Sequence, residues 1–313
     1  MKIYRHVKAS TLILLICGVI YPLSLTGCRA ISRYGESRQT IAARRLSRQG
    51  LEAMHAGQWD MAENLFSSAL DIRAADDRAH WGLAESLWQR GEREAALLHM
   101  EQAVRLSASD PRLVRRLARM YFDLGRIEEA ERETMVALEA DRESAEVWAL
   151  KGDCLRSRGD QTAALAAYHR AMALQPDYPD VQIQAAELYR IQGRYDRLLA
   201  TIDRLQESLD VDEPCPIRGH VLRGIALRQL DRPAEAQQCF AEANREAPMD
   251  PEPLINLAEL HLASGDVESA RMAVDQAMLL SPASPTANTL SRTIEERTVR
   301  LASENVSTGE FRR

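Results

Sequence analysis

The sequence predicts an all-α chain: an array of about seven helix–turn–helix repeats closed by one further helix. Three observations predict it. Gly57, Gly91, Gly125, Gly159 and Gly193 fall 34 residues apart, and Gly265 continues the series after one gap and a small offset. Alanines keep the same beat at Ala62, Ala96, Ala130, Ala164, Ala236 and Ala270, and again at Ala69, Ala103, Ala137, Ala171, Ala243 and Ala277. A fixed period of this length marks stacked supersecondary units rather than one globular core. Alanine is also abundant, while aromatic residues make up 5 % of the chain. That balance favours closely packed helices over strands.

Residues 1–27 read as an address. Lys2, Arg5 and Lys8 precede residues 9–25, which are uncharged and mostly apolar, the layout of a secretory signal. Leu25-Thr26-Gly27-Cys28 follows and resembles a bacterial lipobox. The resemblance implies cleavage after Gly27 and a lipid on Cys28. The competing reading is an uncleaved span, but the apolar stretch is at the lower length limit and Pro22 interrupts it. Both readings export the remainder and tether it to a membrane. Several acyl chains, at about 0.8 kcal/mol per buried methylene, make a durable anchor. Arg29 stands where an aspartate would mark inner-membrane retention, so the outer membrane facing the periplasm is the expected site. Residues 28–42 are a lipidated N-terminus and linker. Without residues 1–27 the chain has 37 basic and 46 acidic residues, a charge of −9.

The repeats are expected at 43–76, 77–110, 111–144, 145–178, 179–212, 217–250 and 251–284. Where the series places it, glycine supplies the positive φ that ends the first helix. Prolines fit this frame independently. Pro111, Pro179, Pro251 and Pro285 open repeats or the cap, where the first-turn amide needs no partner. Pro176, Pro248 and Pro282 close repeats, and Pro233 sits at the turn entering a second helix. None is expected inside a helix, where it would cost about 3 kcal/mol. The fifth repeat departs from the pattern, with Leu198 and Leu205 at its two small positions. Glu213-Pro214-Cys215-Pro216 is then inserted before the sixth. Simple drift absorbed by a longer loop explains this, and so does a bend between repeats 1–5 and 6–7. Residues 285–302 form a capping helix with Leu290, Ile294 and Leu301 facing the last repeat, and 303–313 a flexible tail. Cys154, Cys215 and Cys239 remain once Cys17 and Cys28 are set aside. An odd number leaves at least one unbridged within the chain, and a Cys215–Cys239 bridge stays open.

Within 145–178, Trp148, Gly152, Ala164, Tyr168, Ala171 and Pro176 stand in one register. Gly224, Ala236, Phe240, Ala243 and Pro248 repeat it in 217–250. The pattern resembles the tetratricopeptide repeat family. The resemblance implies a right-handed α-solenoid whose first helices line a concave groove that binds a protein or peptide. Phe66, Tyr168 and Phe240 are the expected fillers between paired helices.

No constellation for catalysis is present. The chain has no Gly-rich phosphate loop, no Gly-x-Ser-x-Gly elbow and no His-Glu-x-x-His. Histidines are scattered, and His80 and His220 share a position that normally packs. The expectation is therefore not an enzyme, with no cofactor and no metal. The acidic balance disfavours nucleic acid. Oligomeric state is left open.

Function then rests on the groove. Its outward positions give Arg44, Arg48 and His55 in the first repeat, and Arg78, Trp81, Glu85 and Trp88 in the second. The third gives Arg112, Arg115, Arg116, Arg119 and Phe122. Later repeats turn acidic or mixed, with Glu187, Arg218, Arg228, Glu252 and Glu259. Arginine and aromatic residues are common binding hot spots, and arginine forks suit carboxylates. A C-terminal carboxylate clamp known in the family is not reproduced. Arg112 and Arg116 match its basic places, but Ser47, Leu51 and Gly82 stand where lysine or asparagine is expected. The expectation is a membrane-anchored envelope scaffold holding a partner of acidic character. Two alternatives are an accessory or pilot lipoprotein for a pilus, secretin or outer-membrane complex, and a non-catalytic subunit of a polysaccharide export or enzyme complex.

Overall fold

The computed structural model describes residues 38–209 and 214–310, with the side chains of 301–310 excepted. The signal peptide, Cys28, residues 29–37 of the linker, Glu213 and the last three residues lie outside the described residues. Fifteen helices and no strand occur among those described. They divide into two compact units, one ending at Glu133 and one starting at Thr134. No described helix is long and apolar enough to cross a membrane.

The first unit holds α1 (Arg38–His55), α2 (Trp59–Ile72), α3 (Asp77–Gln89), α4 (Arg93–Leu106) and α5 (Pro111–Asp123), and ends within α6 (Ile127–Ala140). Each of α1 to α4 packs on the next, and α1 also touches α3. The second unit continues through α7 (Ala145–Ser157), α8 (Gln161–Leu174), α9 (Pro179–Ile191), α10 (Tyr195–Ser208), α11 (Ile217–Gln229), α12 (Pro233–Glu246), α13 (Pro251–Ser264), α14 (Val267–Leu280) and α15 (Pro285–Glu310). Here too successive helices pack in order from α7 onward, and α9 touches α11, α11 touches α13 and α13 touches α15. At these places the first helix of one repeat meets that of the next repeat or the cap. α15 runs to Glu310, beyond the cap boundary placed at 302, and α1 starts at Arg38, ahead of the first repeat.

The periodic glycines do what their spacing implies. Gly57, Gly91, Gly125, Gly159, Gly193 and Gly265 all have φ between +67° and +87°. At each, the amide of the following residue bonds back across the helix end, as Gln58 does to the Ala53 carbonyl at 2.9 Å. In the sixth repeat Asp231 takes the glycine's place with φ +58°. Aspartate side chains cap helix starts at Asp76, Asp110, Asp160, Asp250 and Asp266. Prolines open α5, α9, α12, α13 and α15. Pro253 lies inside α13, but in its first turn, where no intrahelical bond is lost.

Both series of alanines are buried. Above them a second-helix aromatic ring covers a first-helix glycine. Phe66, fully buried, lies against Gly50 and Gly82, where added Cβ atoms would fall 2.7 and 2.1 Å from its ring. Tyr168 covers Gly152 and Phe240 covers Gly224 in the same way. Each such ring contributes about 1.5–3 kcal/mol by burial. In the fifth repeat Leu198, Ile202 and Leu205 are fully buried and share one cluster with Tyr168, Leu222 and Ala226. The apolar core passes from repeat five to repeat six unbroken. No disulfide joins Cys154, Cys215 and Cys239, so the Cys215–Cys239 bridge is not formed. Ile294 on α15 is buried with Ala258, Ala270 and Val274, and Leu290 packs against them.

Candidate partner-binding face

Two first helices build the face. α3 starts at Asp76, whose carboxylate accepts from the Ala79 amide at 3.1 Å. α5 starts at Asp110, which accepts from the Arg112 amide at 2.9 Å, with Pro111 in its first turn. Along α3 a seven-residue spacing sets Trp81 and Trp88 on one side, two turns apart. Both are partly exposed. On α5, Arg115, Arg119 and Phe122 are also partly exposed.

Glu85 and Arg116 join the two helices. The Arg116 guanidinium donates from Nε to Glu85 Oε1 at 2.7 Å and from Nη2 to Oε2 at 2.8 Å. Trp88 receives two cations, Arg93 at 4.7 Å and Arg116 at 5.5 Å from its ring centroid. Arg119 stands 5.7 Å over Phe122. Arg112 turns back on Asp110 at 3.0 Å, and that guanidinium and the Arg112 amide hold the Asp110 carboxyl below its ordinary value. Glu85, Arg112 and Arg116 are thus engaged within the chain, where the sequence reading set them as ligands for a partner. The pairing partner 31 residues away could not be seen in a single helix.

Arg44 and Arg48 are placed elsewhere. They line a cleft of about 820 Å³ together with Arg45, Arg73 and Arg78. Ser47 at its wall is buried and donates to Asp76 Oδ2 at 3.3 Å. Ser47 and Gly82, two of the places in the family's carboxylate clamp, are thus committed to packing, one against Asp76 and one under Phe66. The groove positions read from the sequence do not include Arg45 and Arg73. Arg73 sits in the loop between repeats, outside the first-helix register.

The second unit pairs its inner charges similarly. Arg218 bonds both Glu187 and Glu252, and Arg228 bonds Glu259. His220 is buried with carboxylates of Glu242 and Glu246 at 3.5 and 3.7 Å. No cluster of three or more His, Cys, Asp or Glu side chains able to hold a metal occurs among the described residues.

Stacked helical pairs with a partly exposed aromatic and cationic face define a repeat scaffold. Three family models described as tetratricopeptide repeat match residues 47–111, 87–154, 145–178 and 227–292. Together they cover more than half of the chain, which belongs to the tetratricopeptide repeat family. No curated protein matches the chain. Among solved structures it is similar to PilF of Pseudomonas aeruginosa, with 18 % identity over 69 % of this chain and 96 % of that one and a TM-score of 0.60. A tetratricopeptide repeat protein from Parabacteroides merdae shares 15 % identity over 82 % and 99 %, with a TM-score of 0.59. The C-terminal part of a repeat protein from Cytophaga hutchinsonii shares 14 % over 78 % and 98 %, with a TM-score of 0.62. At these identities the likeness is one of fold.

Proposed function

We propose that the chain is a lipid-anchored, non-catalytic scaffold of the bacterial cell envelope that holds an acidic segment of a partner protein against α3 and α5. The observation that carries this reading is the set of partly exposed Trp81, Trp88, Arg115, Arg119 and Phe122 on two helices whose spacing the Arg116–Glu85 pair fixes. Aromatic faces supply apolar contact area, and arginine forks donate to carboxylates. Affinity near micromolar, about −7 to −9 kcal/mol, suits a transient site of this kind. The lipobox-like tetrad ending at Cys28 supplies the anchor in this reading.

A photo-crosslinking residue in place of Trp81, used in intact cells and read by mass spectrometry, tests the face. The expected result is one dominant partner peptide rich in Asp or Glu, lost when Arg115→Glu and Arg119→Glu are added. Unchanged capture by that double variant overturns the assignment. The anchor is tested separately by the mass of the processed N-terminus with and without Cys28→Ala.

A further inference from the structure

The arginine cleft between α1 and α3 is distinct from that face, and we propose that it docks anionic phospholipid headgroups. The setting rests on the anchored reading above, while the test does not. Five arginines from three elements line the cleft. Arg44, Arg45 and Arg48 come from α1, Arg73 from the α2–α3 loop and Arg78 from the first turn of α3. Two carboxylates share the cleft, Asp76 and Asp77. Asp76 is buried, and its oxygens are taken by the Ala79 amide and the Ser47 hydroxyl. Arg48 meets Glu52 at 3.7 Å with both side chains exposed, a pair that solvent largely screens. Arg45, Arg73 and Arg78 form no ion pair among the described residues. Arg116, Arg218 and Arg228 are by contrast held by carboxylates of the chain itself. Arg45, Arg73 and Arg78 therefore leave cationic forks for an outside anion, and guanidinium matches phosphate oxygens bidentately. Ile41, 57 % exposed, adds an apolar group on the same rim, as interfacial helices do.

Chain position favours a lipid surface over an acidic segment. α1 is the first described helix, and Arg38 stands ten residues after Cys28. Ten residues reach at most about 33–36 Å. The intervening stretch carries Arg29 and Arg33 against the single acidic Glu36. A lipid on Cys28 therefore holds the cleft within reach of the bilayer, where headgroup density is high. An acyl anchor beside a polybasic patch is the two-signal arrangement that makes attachment durable. Each arginine near an anionic surface strengthens binding roughly fivefold.

The test uses the chain without residues 1–28, which keeps every described residue and has no acylation site. It is sedimented with vesicles of phosphatidylcholine alone or mixed with phosphatidylglycerol. Binding is expected only to the mixed vesicles, weakening as salt rises. Arg45→Glu, Arg73→Glu and Arg78→Glu together should weaken it by at least about 100-fold, while Arg115→Glu with Arg119→Glu leaves it unchanged. Should circular dichroism show the triple variant unfolded, Arg45→Gln with Arg73→Gln replaces it, with roughly a 25-fold loss expected. No binding at low salt, equal binding to both vesicles, or binding indifferent to these substitutions overturns the proposal. So does arginine-dependent capture of a polyglutamate peptide with no vesicle binding, which would make an acidic segment the occupant. Because the truncated chain cannot be acylated, a failure here is separate from a failure of the Cys28 anchor.

Discussion

The Arg116 guanidinium lies fork to fork on the Glu85 carboxylate, at 2.7 and 2.8 Å, and so ties the first helix of repeat three to that of repeat two. The second unit repeats the device. Arg218 with Glu187 and Arg228 with Glu259 also span 31 residues, a few short of the repeat period. Burial of the pair is partial, with side-chain exposures of 28 % and 16 %. A surface pair would be worth little, but a bidentate, half-desolvated one is worth about 1–2 kcal/mol. A double-mutant cycle with Glu85→Gln and Arg116→Gln, read by denaturant unfolding, should return a coupling of that size. A coupling below about 0.3 kcal/mol would mean that the pair merely decorates the surface.

Gly82 should tolerate no side chain. Its Cβ would fall 2.1 Å from the Phe66 ring, which is itself fully buried. Overpacking of this kind costs about 2–3 kcal/mol, because ring and helix must both move. Gly82→Ala should therefore lower unfolding stability by that amount, and adding Phe66→Leu should recover part of it. Gly57→Ala makes a useful contrast. Nothing lies within 4 Å of the new methyl, but φ is +72°, so the cost there is backbone strain of about 1 kcal/mol that Phe66→Leu leaves untouched.

These two glycines also show what the sequence could and could not reveal. Gly57 belongs to the 34-residue series, so its turn was legible from spacing alone. Gly82 reads as a groove position in the same register, and only the packed structure shows the Phe66 ring of the preceding repeat resting on it. The division of the arginines has the same cause. Repeat position fixes which helix face Arg116 occupies, but its partner Glu85 comes from another helix. The cleft depends on Arg73, a loop residue with no place in a helical register. Fold was therefore readable from local chemistry, while the state of each site charge depended on contacts between repeats.

Asp231 is the one member of the turn series that is not glycine, with φ +58°. Aspartate tolerates this left-handed region better than most residues, but glycine pays no steric penalty there. The Arg232 amide already makes the closing bond to the Leu227 carbonyl at 2.9 Å, so the turn geometry would not change. Asp231→Gly should raise the stability of the second unit by about 0.5–1 kcal/mol. Thermal unfolding of the variant, compared with Asp231→Ala, checks this. Equal midpoints for the two variants would show that conformation at this turn carries no strain.

Acid should loosen the second repeat. His80 and His99 face each other with Nδ1 atoms 2.9 Å apart, and His80 Nε2 lies 3.0 Å from the Ala74 carbonyl. A carbonyl only accepts, so His80 is protonated at Nε2 and its Nδ1 accepts from His99. Burial, then the neighbouring His80, lowers the His99 pKa below its ordinary 6.5. The unfolded chain therefore binds a proton more readily than the folded one in the window just below 6.5. Stability is complete above that value and is lost as pH falls through it, levelling off below the folded pKa. His169 in the other unit is lowered too, by burial and then by Arg197, Arg204 and Arg194, so global unfolding would mix the two. Amide exchange resolved by helix separates them. Protection in α3 and α4, corrected for intrinsic rates, should fall as pH drops below the ordinary histidine value of 6.5. His99→Gln should flatten that slope in α3 and α4 while leaving the response of α8 and α9 intact. Protection in α3 and α4 that does not change with pH would remove the histidine pair as its cause.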